Sequence, residues 1–114
     1  MTRRESRQAA VALLFERSFD YDRTPEEIIA SAVEDREETL SAFAKELFLR
    51  ADENLGDINE KIERCADNWR IDRIDRVTLT VLRLAACEID YFPEIPVEIT
   101  VNEALELARW FGEE

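Results

Sequence analysis

The sequence contains no histidine, and only two cysteines, two glycines and three prolines occur among its 114 residues. Without histidine, Ser-His and Cys-His nucleophile pairs, most zinc sites and the Glu-x-x-His di-iron pattern are excluded. Because loops depend on glycine and proline, their scarcity predicts long helices joined by short turns. No apolar run approaches the roughly 20 residues of a membrane span, and no apolar segment follows the basic N-terminus as in a secretory signal. We therefore expect a cytoplasmic protein that is not an enzyme and uses no cofactor or metal.

Basic residues are also scarce, and they are concentrated in two zones. The net charge is −12, yet residues 1–17 carry +2 and residues 61–83 carry +2. The intervening residues 18–60 carry −9 and residues 84–114 carry −7. An acidic chain repels nucleic acid except where a basic patch locally overrides the total. The acidic groups are equally consistent with plain solvation of helix surfaces or with a salt-adapted source.

The apolar spacing predicts six helices and no strand, in a single domain spanning 1–114. Thr24-Pro25-Glu26-Glu27 is a helix start, with a capping threonine and proline at the first position. Cys65 and Cys87 fall on apolar sides of helical patterns, which predicts two reduced core thiols. The first two predicted helices cover about 4–19 and 25–33. A capping box at Asp35 and Glu38 opens the third, Gly56 ends it, and Asp57 caps the fourth. The fifth covers about 72–90, and a capping box at Thr100 and Glu103 opens the last.

Helical phase assigns an inward face to each of the last two helices. The apolar spacing of the fourth predicted helix continues through Ala66 and Trp69. The fifth is expected to bury Ile74, Val77, Val81, Leu82, Ala85 and Ile89, and the sixth Leu105, Ala108 and Phe111.

Three arginines at the start of the first predicted helix are the strongest functional signal. Arg3 and Arg7 are four residues apart and share a face, which Arg4 borders. Cations oppose the helix dipole at this end, by up to roughly 1 kcal/mol each, so stability alone does not favour them there. The backbone N–H groups and three guanidinium groups together suit an anion, and Phe15 on the same side could stack a base. A frayed basic tail with Phe15 in the core explains the pattern equally well.

Four segments resemble the NusB family. They are the arginine-rich opening RRESRQAAVALLF, the run NWRIDRI at 68–74, VLRLAACEI at 81–89, and IPVEITVNEALELARWFG at 95–112. The last is similar to the family's IP-x-x-V-x-INEAVELAK-x-FG segment, and the order of all four matches. Phe15 stands where the family usually has tyrosine, which keeps a stacking surface and loses a hydroxyl.

The resemblance implies an all-α fold, built as two packed three-helix bundles, and a role in transcription antitermination. Such proteins pair with the ribosomal protein NusE, bind the boxA element of nascent ribosomal RNA, and help RNA polymerase to read through terminators. By position, Arg3, Arg4 and Arg7 would contact phosphates, and Phe15 and Phe111 would lie beside bases. The resemblance also implies a partner-binding face around the fifth helix, and helical phase predicts that its outward residues are Arg76, Leu79, Thr80 and Arg83.

The family normally continues past its Phe-Gly into another helix, whereas this chain stops at Glu114. The resemblance therefore predicts a bundle lacking the family's last helix, in a fragment or in a protein without it. An apolar patch on the sixth helix would then be open to a second copy, and a homodimer is expected. Two alternatives remain: the non-catalytic N-terminal module of a ribosomal RNA cytosine methyltransferase, and a helical scaffold that binds only proteins.

Overall fold

The computed structural model describes residues 1–65 and 71–112, and these residues form six α-helices, one short 3-10 helix and no strand. The all-helical prediction is confirmed; the predicted positions Ala66 and Trp69 lie outside the described residues. The helices are α1 (Arg3–Ser18), α2 (Pro25–Glu34), α3 (Ala42–Glu53), α4 (Leu55–Cys65), α5 (Arg76–Tyr91) and α6 (Val97–Gly112), with the 3-10 helix at Ile71–Arg73.

The helices pack as two sets that share one core. In the first set α1 packs most extensively on α3, and α2 covers both. In the second, α5 packs on α4 and on α6. The sets join where α5 contacts α1 and α3. This central position of α5 puts the start of α1 beside α6, where the candidate site lies.

The start of α1 is fixed by a complete capping box. The Thr2 hydroxyl accepts from the Glu5 N–H at 3.1 Å, and the Glu5 carboxylate accepts from the Thr2 N–H at 2.7 Å. Thr24 and Glu27 form the same box at α2, as the sequence predicts. Each box satisfies backbone donors that have no partner inside the helix, which typically contributes about 1 kcal/mol. The arginines that follow Thr2 are therefore carried on a well-defined helix end.

Three predicted boundaries are wrong. Glu37 has φ of 55°, and the Glu38 N–H donates to the Ala32 carbonyl, so the Asp35–Glu38 segment closes α2 and does not open α3. The cap of α3 is Ser41, whose hydroxyl accepts from the Ala44 N–H at 3.0 Å. The break before α4 falls at Asn54, which leaves Gly56 inside that helix.

The predicted capping box at Thr100 is also wrong. The helix α6 begins directly after Pro96, whose carbonyl accepts from the Ile99 and Thr100 N–H groups. Thr100 is therefore inside the helix and buried. Asp75 caps α5 by accepting from the Thr78 N–H at 2.9 Å, so that helix begins four residues later than Asp72.

The helical phase predicted for α5 and α6 needs correction. Leu82 and Ile89, expected inward, are 37 % and 42 % exposed, and Leu105 on α6 is 62 % exposed, while Leu107 is buried. The buried side of α5 includes Thr80 and Glu88, polar residues that periodicity assigns to the surface. Thr80 donates its hydroxyl hydrogen to the Arg76 carbonyl, and Glu88 is paired across the core. Cys87 is buried as expected, but Cys65 is exposed.

Candidate nucleic-acid interface

The three N-terminal arginines take three different environments. Arg3 is exposed, and its guanidinium lies 3.8 Å from the centroid of the Phe43 ring. Arg4 has a 56 % exposed side chain and pairs with Glu103 of α6. Arg7 has a 4 % exposed side chain. The prediction that all three converge on one open anion site is therefore wrong for Arg7.

Arg7 is the centre of a buried polar network. Its Nε and Nη2 donate to the two carboxylate oxygens of Glu88 at 2.7 and 2.9 Å. Glu88 also accepts from the Thr100 hydroxyl at 3.0 Å. The Nη1 of Arg7 lies 3.6 Å from Oε1 of Glu103. One guanidinium thus links α1 to both α5 and α6. Its contact with Glu88 is bidentate, which a lysine could not reproduce.

Glu103 links the buried network to the surface. Its carboxylate accepts from Nη2 of Arg4 at 2.7 Å and from Nε at 3.2 Å. The hydrogen bond from Arg4 and the positive charges of Arg4 and Arg7 lower the pKa of Glu103, so this carboxylate is ionised. The pair leaves three of the five N–H donors of Arg4 for another acceptor.

A groove between α1 and α6 opens beside Arg4. It encloses about 130 Å³ and is lined by two residues of α1, four apart, and three of α6: Arg4, Gln8, Glu106, Leu107 and Trp110. Leu107 is buried, whereas Trp110 is 64 % exposed. Sequence reasoning left Gln8 and Trp110 out of the site, since only the packing of α6 on α1 brings them together.

Phe15 lies at the opposite end of α1, about 12 residues from Arg3 or roughly 18 Å along the axis. Its ring packs edge-on to Phe19 at 4.9 Å, and the guanidinium of Arg76 lies 4.4 Å from the Phe19 ring centroid. Phe15 is half-buried and Phe19 exposed, so Phe19 presents more open aromatic surface. Phe111 is half-buried and packs against the core.

The predicted partner face of α5 is only partly exposed. Arg76 is exposed and donates to the Ser18 carbonyl at 3.0 Å, and Arg83 is half-buried and donates to Asn59 at 2.9 Å. Burial lowers the pKa of Arg83. Leu79 and Thr80 are buried in the core, so the prediction that they face outward is wrong.

A separate apolar groove of about 430 Å³ runs between α4 and α5. It is lined by Lys61, Ile62, Cys65, Leu82, Ala85, Ala86, Ile89 and Asp90. Within residues 1–65 and 71–112, no cluster of side chains could hold a metal ion, and no helix is long and apolar enough to cross a membrane.

Comparison with known proteins gives one family. The model of the NusB family matches residues 4–114. The transcription antitermination protein NusB of Natranaerobius thermophilus is 38% identical over 98% of this chain and 84% of that relative. The protein of the same description from Clostridium acetobutylicum is 38% identical over 100% of this chain and 85% of its own length.

Solved structures agree. "T. maritima NusB, P3121, Form 2" superposes with a TM-score of 0.83 at 32% identity, covering 100% of this chain and 81% of that one. A chain of "Crystal Structure of a Plectonemic RNA Supercoil" also gives 0.83, at 23% identity over 98% of this chain and 83% of that one, which shows the shared fold alone. The chain belongs to the NusB family.

Proposed function

We propose that this chain is a transcription antitermination factor that binds the boxA element of nascent ribosomal RNA together with NusE and promotes read-through by RNA polymerase. The names of its relatives support antitermination. The observation that carries RNA binding is the pair of exposed guanidinium groups, Arg3 and Arg4, at the positive end of α1.

Both exposed arginines keep donors for phosphate. The contact of Arg3 with Phe43 uses the π face of the ring and leaves the in-plane N–H bonds of the guanidinium to other acceptors. Arg4 donates two N–H groups to a carboxylate, and a guanidinium can bind a phosphate in the same bidentate geometry. The N-terminal dipole of α1 adds to the attraction.

Arg7 has a different role in this proposal. Because its guanidinium is buried and paired with Glu88, it acts as a positioning residue and does not contact phosphate. It holds α1 against α6, and it sits 3.6 Å behind the carboxylate that restrains Arg4. Its replacement would weaken RNA binding through misplacement of the start of α1.

The aromatic contacts are assigned to two ends of the molecule. Phe15 would meet a base at the C-terminal end of α1, beside Phe19 and Arg76. Phe111 would contribute only the part of its ring that the core leaves open. An RNA strand that touches both Arg3 and Phe15 would have to follow α1 for most of its length.

A basic partner completes the proposal. With a net charge of −12, the chain has little positive surface beyond its two basic zones. NusE would dock on the outer side of α5 through Arg76 and Arg83, while Leu79 and Thr80 support that side from the core. The combined positive surface would raise RNA affinity.

The antitermination role is favoured over a methyltransferase module, because the named relatives above are matched over 84–85% of their own length. The binding test compares a boxA strand with a scrambled strand, each with and without NusE. We expect tight, sequence-selective binding only with NusE and boxA together. Equal affinity without NusE would contradict the adaptor role, and no RNA binding in any mixture would favour a protein-only scaffold.

A further inference from the structure

We propose that the groove between α1 and α6 binds one base of single-stranded RNA, and that it prefers a base with an exocyclic amino group over uracil. This inference rests on the proposed RNA-binding function and adds a subsite and a preference to it. The five lining residues bring a stacking surface, a base-edge acceptor, an amide and a phosphate ligand to one place.

The dimensions of the groove fit one ring. Its volume of about 130 Å³ is roughly ten times the volume of about 10–15 Å³ that a cavity needs to hold one water. It is smaller than the roughly 300–1,000 Å³ of pockets that enclose a whole small molecule. Such a groove suits one part of a polymer that is bound along a longer surface.

Trp110 supplies the stacking surface. The indole is 64 % exposed, although Leu107 in the preceding turn is buried, so a large apolar face of the ring is left in water. Bases splayed from single strands stack on such rings, at about 1–3 kcal/mol per base. Leu107, one helical turn below, closes the floor of the groove.

Glu106 and Gln8 determine which base edge fits. A carboxylate only accepts hydrogen bonds, so it favours the amino groups of cytosine, adenine and guanine and is repelled by the O4 carbonyl of uracil. The carboxylate of Glu106 lies 3.4 Å from Nη1 of Arg109 and within electrostatic reach of Arg4, and it keeps acceptor sites for a base. The Gln8 amide both donates and accepts, so it can pair with the ring edge beside the amino group.

Arg4 places the backbone of the same nucleotide. It lines the groove, its side chain is 56 % exposed, and Glu103 uses two of its five donors. The phosphate is therefore expected at the exposed rim of Arg4, on the N–H groups that Glu103 does not use, with the base pointing towards Glu106. A base inserted with its phosphate inward would meet Glu103 and Glu106 together.

The test uses the full chain with Trp69→Phe, so that Trp110 is the only tryptophan. Oligocytidylate should quench the emission of Trp110 and bind more tightly than oligouridylate of equal length. Trp110→Ala should weaken binding of oligocytidylate by about fivefold to a hundredfold, and Trp110→Phe by less. Glu106→Gln should reduce the preference for cytidine, because an amide can donate to O4 of uracil.

Two controls lie on the same helix but outside the groove. Leu105→Ala removes an exposed apolar side chain and Glu98→Gln removes an exposed carboxylate, and both should leave affinity and preference unchanged. Unquenched Trp110 in the RNA complex, or full affinity of Trp110→Ala, would overturn the subsite. If that variant still binds boxA with NusE as the parent does, the subsite fails and the proposed function stands.

Discussion

Breaking the buried ion pair between Arg7 and Glu88 should destabilise this fold more than removing any exposed arginine. The two side chains are 4 % and 3 % exposed, and two N–H donors of Arg7 reach the two oxygens of Glu88. Arg7→Met leaves a buried carboxylate without its cation, which costs about 3–5 kcal/mol. Total stability of a domain is about 5–15 kcal/mol, so the variant should have a greatly lowered urea midpoint.

Removing both charges of the pair should restore much of that loss. Arg7→Met with Glu88→Met replaces two buried charges by apolar side chains of similar length, which is often neutral or stabilising. The buried hydroxyl of Thr100 then lacks its acceptor, which costs about 1–3 kcal/mol of stability. Adding Thr100→Val to the double variant should therefore raise its free energy of unfolding further. The assay is equilibrium urea unfolding followed by circular dichroism.

The matched control is Arg36→Gln, an exposed arginine paired with Glu38 and Glu16. Surface pairs contribute about 0–1 kcal/mol, so its free energy of unfolding should stay close to that of the parent. If Arg7→Met lost no more stability than Arg36→Gln, the description of Arg7 as a buried positioning residue would be refuted.

Three further measurements test the structure. Burial raises the pKa of Cys87 to about 12, so in the folded chain Cys65 alone should react with a disulfide reagent, and reaction of both thiols without denaturant would contradict the packing of α5. The backbone N–H of the capping threonine lowers the pKa of Glu27 and the hydrogen bond from Arg4 lowers that of Glu103, so both carboxylates stabilise the fold above their ordinary pKa of 4.5 and lose that contribution as pH falls through the lowered values. The urea midpoint should therefore decrease in acid, and an increase would oppose these assignments. Self-association through the sixth helix stays a prediction: the exposed Leu105 and Trp110 of α6 and the net charge of −12 mean that light scattering should show association strengthening with salt, and a monomer at every salt concentration would contradict it.

The sequence predicts the number and order of helices well, because their apolar spacing and capping signals are local. Thr24 and Pro25 begin α2 as predicted. Predictions fail where the buried face is polar. Thr80, expected to face outward, is buried, and its hydroxyl donates to a carbonyl in the preceding turn; Glu88 is buried with its partner on another helix. Periodicity reports neither contact.

The candidate site shows the same limit. The arginine cluster is evident in the sequence, but exposure separates Arg3 and Arg4 from Arg7, and exposure follows from where Glu88 packs. Gln8 and Trp110 lie 102 residues apart in the chain and meet only because α6 packs on α1. Local patterns therefore indicate the chemistry, and tertiary packing selects which residues can perform it.

The salt dependence of boxA binding in the presence of NusE tests the central claim most directly. For the parent chain, log K should fall linearly with log salt, and Arg3→Gln with Arg4→Gln should flatten the slope by about 1.4, at roughly 0.7 for each phosphate contact on a single strand. Arg36 lies beyond α2 and pairs with Glu16 near the C-terminal end of α1; Arg36→Gln makes one of the same charge changes and should leave the slope unchanged. A slope that stays the same in the Arg3 and Arg4 double variant would contradict the assignment of these arginines as the phosphate ligands.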